Sequence, residues 1–231
     1  DRIRFLYDEF EDIVIGFSGG KDSTVVFELA MIVAKERNRL PLHVMFLDQE
    51  IEWQLAIDHI KTIMYRPDVK PLWLQIPFDM PNASSIFSPW LKCWEEGKEW
   101  MRPLEPIAKT ENIYGEDKFM DMFKAIIREE YKGRKACYLG GVRTEESPGR
   151  FMGLTHTPTY KWITWGRVWD RVQGHYTFYP IYDWGYRDVW KAIHDNGWPY
   201  CKLYDYLYRY GVAVPNMRVS NLHHETSIRA M

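Results

Sequence analysis

Apolar and polar positions alternate along the first third of the chain in a strand–helix–strand rhythm. Ile13-Val14-Ile15-Gly16-Phe17 is a short apolar run, rich in β-branched residues and halted by Gly19-Gly20, and it predicts a buried strand. From about Asp22 to Arg37 apolar residues cover most of a helical circumference, so a buried helix is predicted. Leu42 to Leu47 reads as a second strand ending at Asp48. Trp53, Ala56, Ile57, Ile60 and Met64 then recur at helical spacing, and Pro71 to Ile76 reads as a third strand. This order predicts a parallel sheet with right-handed crossovers.

The middle is less regular. Asn82 to Thr110 carries Trp90, Trp94, Trp100 and several prolines without a clean period, and residues 82–132 read as a mostly helical insertion or lid. Phe119 to Tyr131 has the pattern of an amphipathic helix. Ala136 to Leu139 returns to a strand that ends at Gly140-Gly141. A last strand, Thr177 to Tyr182, leads into a helix around Tyr186, Val189, Trp190 and Ile193, with Gly197 as its left-handed terminator. The expected fold is α/β, a Rossmann-like parallel sheet flanked by helices in one domain spanning 1–231. Residues 198–231 form an aromatic-rich C-terminal extension.

Composition narrows the classes. Lys and Arg number 30 against 32 Asp and Glu, a net charge of −2, which removes the simplest argument for a general nucleic-acid or membrane-surface binder. No apolar run approaches the roughly 18 residues needed to cross a bilayer. Cys93, Cys137 and Cys201 are too scattered for a disulfide framework or a Cys-rich metal site, which implies a reducing cytoplasm. The chain opens on Asp1 rather than Met and shows no signal-peptide pattern, as in a cytoplasmic protein trimmed at its ends.

The chemistry concentrates in Ser18-Gly19-Gly20-Lys21-Asp22-Ser23-Thr24, between the first strand and the first helix. Two glycines let backbone N–H groups converge, and the helix N-terminus adds free donors and a positive dipole. Three hydroxyls and Lys21 complete a cradle for an anion. Asp22 beside an anion calls for a magnesium ion or a helix-capping role. A Walker A loop is excluded, because Gly16 to Lys21 is one residue short and Asp22 stands where Ser or Thr is required.

This loop resembles the pyrophosphate loop of the adenine nucleotide α-hydrolase-like superfamily, which includes ATP pyrophosphatases, FAD synthetases and phosphoadenosine phosphosulfate (PAPS) reductases. Two further segments are similar to the PAPS reductase and sulfotransferase-like members: Gly141-Val142-Arg143-Thr144-Glu145-Glu146-Ser147-Pro148-Gly149-Arg150, and Tyr179 to Trp190. Leu47-Asp48-Gln49-Glu50 resembles the family's turn after the second strand, and Asn216 to Glu225 resembles a PAPS sulfotransferase branch. The resemblance implies that Ser18, Gly19, Gly20, Lys21, Asp22, Ser23, Thr24, Asp48, Gly141, Val142 and Arg143 bind the nucleotide, and that Lys21, Arg143 and Arg150 act on it. PAPS or ATP is the implied substrate, with magnesium at Asp22.

The residues themselves agree in part. Arg143 and Arg150 follow a strand end, where ligands collect in open parallel sheets, and guanidinium groups suit phosphate or sulfate oxygens. Between Arg134 and Arg171 there are seven Lys or Arg against three acids, although Glu145 and Glu146 can neutralise the arginines in place of a ligand. Asp48 fits either a ribose hydroxyl or a helix cap. Tyr160 to Tyr210 holds 17 aromatics in 51 residues, which suit core packing, a protein partner or second copy, or base stacking on nucleic acid. His223-His224-Glu225 is poor geometry for a metal, because neighbouring side chains diverge.

The family's C-terminal Glu-Cys-Gly-Leu-His segment, whose thiolate attacks sulfur, has no counterpart, and the Cys-Cys pairs of iron–sulfur relatives are missing, so no iron–sulfur cluster is expected. An enzyme acting at the phosphate–sulfate or α-phosphate anhydride without a thiol step is one reading. A non-catalytic nucleotide-binding regulatory module with a protein or DNA partner is the other.

Overall fold

In a computed structural model that describes residues 1–82 and 86–219, nine strands and seven α-helices follow one another along the described residues. In chain order these are α1 (Arg2–Glu9), β1 (Asp12–Gly16), α2 (Lys21–Glu36), β2 (Leu42–Leu47), α3 (Gln54–Met64), β3 (Val69–Leu74), β4 (Phe78–Pro81), β5 (Trp90–Cys93) and β6 (Ala108–Lys109). Then come α4 (Phe119–Glu130), β7 (Ala136–Leu139), α5 (Pro148–Thr155), β8 (Gly166–Asp170), β9 (His175–Phe178), α6 (Tyr186–Asn196) and α7 (Leu203–Arg209).

The main sheet has the order β6-β3-β2-β1-β7-β9-β8, parallel throughout except at its β8 edge. Strand β1 is buried along its whole length, which is why it reads as a continuous apolar run rather than an alternating one. Its side chains still divide by the two-residue period. Ile13 and Ile15 face a core shared with α1, α2, α3 and α6, whereas Val14 faces a second core with Met122, Ala125 and Ile126 of α4. From β1 the chain steps to β2 and β3 on one side and returns through β7 to the other. That reversal opens a crevice at the carboxyl ends of β1 and β7, the place where ligands bind in open α/β sheets.

The expected α/β fold is therefore present, with several differences. The third strand lies two residues earlier than its pattern suggested, at Val69–Leu74. Pro71 is tolerated there because β6 pairs only with Trp73 and Leu74, so one side of Pro71 needs no N–H donor. The last strand stops at Phe178, two residues before Pro180, and pairs with the unanticipated antiparallel β8. The helical character expected of 82–132 is confined to α4. Ahead of it, β4 and β5 form a separate two-stranded antiparallel sheet, in a stretch whose Pro81, Pro89, Pro103 and Pro106 break any helical period. Helices α1, α5 and α7 were not legible as patterns. Gly197 does end α6 in the left-handed region, at φ 62°.

The insertion is fastened to the turn after β2. Glu50, itself at φ 62°, accepts the backbone N–H of Trp94 at 2.6 Å and of Met101 at 3.1 Å. The Trp94 indole donates to the Asp48 carbonyl at 2.8 Å, and Arg102 pairs with the Asp48 carboxylate. Behind the crevice, α7 packs Leu203 and Tyr204 against Ala56 of α3 together with Cys201 and Met217. No helix among the described residues is long and apolar enough to cross a membrane.

Crowding at the crevice yields a test. A Cβ on Gly141 would lie 2.8 Å from the Asp22 carbonyl carbon and 2.9 Å from the Ser23 nitrogen, both backbone atoms that cannot swing aside. Gly141→Ala is expected to destabilise the protein by about 1–3 kcal/mol. Gly149→Ala, which meets nothing within 4 Å, should change stability by no more than about 0.5 kcal/mol in the same denaturant titration.

Candidate nucleotide site

The loop after β1 is shaped by Gly19, whose φ of +74° a side chain would strain, and by Gly20, the N-cap of α2. Among the described residues the backbone N–H groups of Gly19, Gly20, Asp22 and Ser23 find no acceptor, as befits the start of a helix with a site in front of it. The Ser23 hydroxyl donates to the Gly20 carbonyl at 2.9 Å and accepts the Ser18 N–H at 3.3 Å, which ties the loop's two ends together. Thr24 also donates to the Gly20 carbonyl, at 3.0 Å. With that proton spent, the buried His59 ring, 3.1 Å away, is the donor to the Thr24 oxygen. Burial pulls His59 down to about 4, so it is neutral near pH 7 and forms a rigid floor rather than a charge.

Two cations meet one carboxylate at the crevice. Lys21 is only 3% exposed, and its ammonium lies 3.0 Å from one Asp22 oxygen. Arg143, equally buried, places Nε 2.6 Å from the other Asp22 oxygen. Burial lowers the Lys21 pKa, and Asp22 pushes back against it. Arg143 reaches this point from the loop after β7, because Gly141 lets that loop press against the first turn of α2. Its Nη1 donates to Glu145 at 2.6 Å and to the Trp184 carbonyl at 3.1 Å, and Glu145 in turn accepts the Tyr186 N–H at 2.7 Å. Among the described residues Nη2 meets only Glu146, at 3.8 Å and beyond hydrogen-bond range.

The structure thus brings Ser18, Gly19, Gly20, Lys21, Asp22, Ser23, Thr24, Gly141 and Arg143 to one crevice, with Val142 half-buried beside them. Arg150, at the exposed start of α5, pairs with Glu146, which Arg218 also approaches at 3.5 Å. Burial lowers the Arg150 pKa, and the Arg218 charge adds to that. Lys21, Arg143, Arg150 and Arg218 therefore outnumber Asp22, Glu145 and Glu146 by one charge, an excess that one added negative charge would neutralise.

Asp48 sits apart from this group. Its carboxylate is fully buried and receives the Trp73 indole at 2.8 Å, Gln75 at 3.1 Å, the Glu50 N–H at 2.9 Å and Arg102. Neither Asp48 nor Asp22 offers an oxygen free of protein donors for a metal, and no group of three or more metal-ligating side chains lies among the described residues. His223, His224 and Glu225 lie outside the described residues.

The sequence reading missed Tyr204. Its hydroxyl accepts the Lys21 N–H at 3.0 Å, and the Lys21 ammonium stands 5.7 Å from its ring centroid. Nothing in the local pattern of α7 marks this contact, which spans 183 positions.

The chain is 26% identical over 231 residues to the uncharacterized protein YbdN of Escherichia coli (strain K12), covering 95% of this chain and 56% of that protein. The chain thus spans little more than half the length of that relative. Among solved structures, the Candida glabrata FMN adenylyltransferase in complex with FAD and inorganic pyrophosphate superposes with a TM-score of 0.54 at 14% identity, over 88% of this chain and 56% of that one. The same enzyme with FMN and an ATP analogue gives 0.51 at 16% identity, over 84% and 52%. These likenesses concern the fold. The pattern that defines the phosphoadenosine phosphosulfate reductase domain matches residues 12–210, so this chain belongs to that family.

Proposed function

We propose that the protein binds an adenine nucleotide with its anionic tail in the loop 18–24 and acts at the phosphate–phosphate or phosphate–sulfate anhydride without a thiol step. The observation that carries this reading is the meeting of α2's unpaired N–H groups with buried Lys21 and Arg143 across the sheet's reversal point. The amides of Gly19, Gly20, Asp22 and Ser23 would take anionic oxygens. Lys21 and the Nη2 of Arg143 would neutralise charge that grows on the departing group as the anhydride breaks. Donors already fixed by Asp22, Glu145 and Trp184 need little reorganisation when that charge appears.

The described cysteines do not supply a nucleophile. Cys93, Cys137 and Cys201 are all buried, and burial raises the pKa of each, Cys201 to about 11. Cys201 packs with Tyr204 on the segment leading into α7, and its thiol donates to the Leu55 carbonyl at 3.5 Å. A thiol so placed is a packing group, with little thiolate near neutral pH. The same observation supports the second reading, a nucleotide-binding regulatory module that does not turn over.

Incubation with ATP, adenylylsulfate and PAPS in parallel separates the two readings. Release of pyrophosphate from ATP, AMP from adenylylsulfate or adenosine 3′,5′-bisphosphate from PAPS is expected. Saturable binding without any of these products would establish the regulatory module, and no binding of any of the three would overturn both. Lys21→Ala is expected to weaken nucleotide binding at least about ten-fold, as for loss of one charged hydrogen bond, while the folded secondary structure is kept; unchanged affinity in calorimetry would remove Lys21 from the site. Cys201→Ser should retain the turnover of the unsubstituted protein, and complete loss of product would restore a thiol mechanism.

A further inference from the structure

The Tyr204 hydroxyl is nearly enclosed, and its ring is held edge-on by Trp190 at 5.0 Å between centroids. Its oxygen accepts the Lys21 N–H at 3.0 Å. A Cβ placed on Gly20 would lie 3.6 Å from this oxygen and 3.5 Å from the Ser18 hydroxyl, so the phenol stands at the edge of the loop. A phenol has two acceptor lone pairs and one proton to give. One lone pair takes the Lys21 amide, and among the described residues no acceptor receives the proton. A buried hydroxyl with its proton unspent beside unpaired helix amides marks a place where a ligand oxygen belongs.

We infer that Tyr204 is a nucleotide-binding residue, whose hydroxyl donates to a phosphoryl or sulfuryl oxygen lodged in the loop 18–24. This rests on the proposed nucleotide site and adds to it a contact from the C-terminal segment. Donation from the Lys21 amide polarises the phenol and strengthens the bond it gives. The ring is pinned by Trp190, and Cys201, Leu203 and Met217 pack around the same segment, so the hydroxyl is presented without further ordering. Arg218 at Glu146 ties the stretch beyond α7 to the same network.

The test is calorimetry of the unsubstituted protein, Tyr204→Phe and Lys21→Ala with ATP, PAPS and inorganic pyrophosphate. Phenylalanine keeps the ring and removes the hydroxyl. Tyr204→Phe is expected to raise the Kd for all three by about ten-fold or more, as for one hydrogen bond to a charged group. A matching loss with PAPS alone would assign the contact to its sulfate or 3′-phosphate, and a loss that includes pyrophosphate assigns it to the loop. Equal or tighter binding by Tyr204→Phe, with Lys21→Ala impaired, overturns this inference and leaves the site standing. Absence of binding by the unsubstituted protein overturns both. Should Tyr204→Phe fail to fold, a crystal of the unsubstituted protein with pyrophosphate decides. A pyrophosphate oxygen within about 3.0 Å of the hydroxyl supports the contact, and one beyond hydrogen-bond range overturns it.

Discussion

The carboxylate of Asp22 joins the first turn of α2 to the loop after β7 at the point where the chain reverses. One oxygen takes Lys21 from its own helix, and the other takes Arg143 from the loop after β7. Each of the two cations would be costly to bury alone, by several kcal/mol. Around a shared carboxylate they become a rigid unit, and Gly141 makes the arrangement possible by letting the β7 loop approach to backbone contact. The position of Arg143 over the helix N-terminus follows from this one constraint.

A second fastening governs the other side of β1. Glu50 and Asp48 gather the backbone of Trp94 and Met101, the Trp94 indole and Arg102, so the stretch from Trp94 to Arg102 is bound to the turn after β2. Asp48, which fitted either a ribose hydroxyl or a helix cap, serves as an anchor for this stretch. In a buried position with four donors aimed at it, Asp48 has little capacity left for a ligand.

What could be read in the sequence was what local chemistry dictates. The run Ile13 to Phe17, the diglycine and the amphipathic α4 follow from burial period and backbone freedom, and each was found where its pattern stood. Arg143 was legible through its resemblance to family members and through its place after a strand. The Glu50 clasp was not, because φ values of 62° at Glu50 and 52° at Trp94 are imposed by tertiary contacts on residues that do not ordinarily favour them. Tyr204 was hidden for a related reason. Its neighbours Tyr206, Tyr208 and Tyr210 are exposed, and only the packing of α7 on α3 distinguishes the one that turns inward.

The carboxylates around the arginines invite the reading that the site is self-neutralised and closed to anions. The geometry argues otherwise. Asp22 and Glu145 bind the Nε and Nη1 of Arg143 and fix the plane of its guanidinium, whereas Nη2 has Glu146 only at 3.8 Å. Glu146 is drawn toward Arg150 and Arg218 as well, so its charge is divided among three guanidinium groups. The acids therefore orient the donor and, among the described residues, leave one corner of it unspent, next to helix amides that are also unspent. A ligand oxygen entering there displaces no strong hydrogen bond of Arg143, and it enters a cluster holding one more positive than negative charge. Preorganisation by neighbouring acids and affinity for an anion are compatible, because they use different atoms of the same guanidinium.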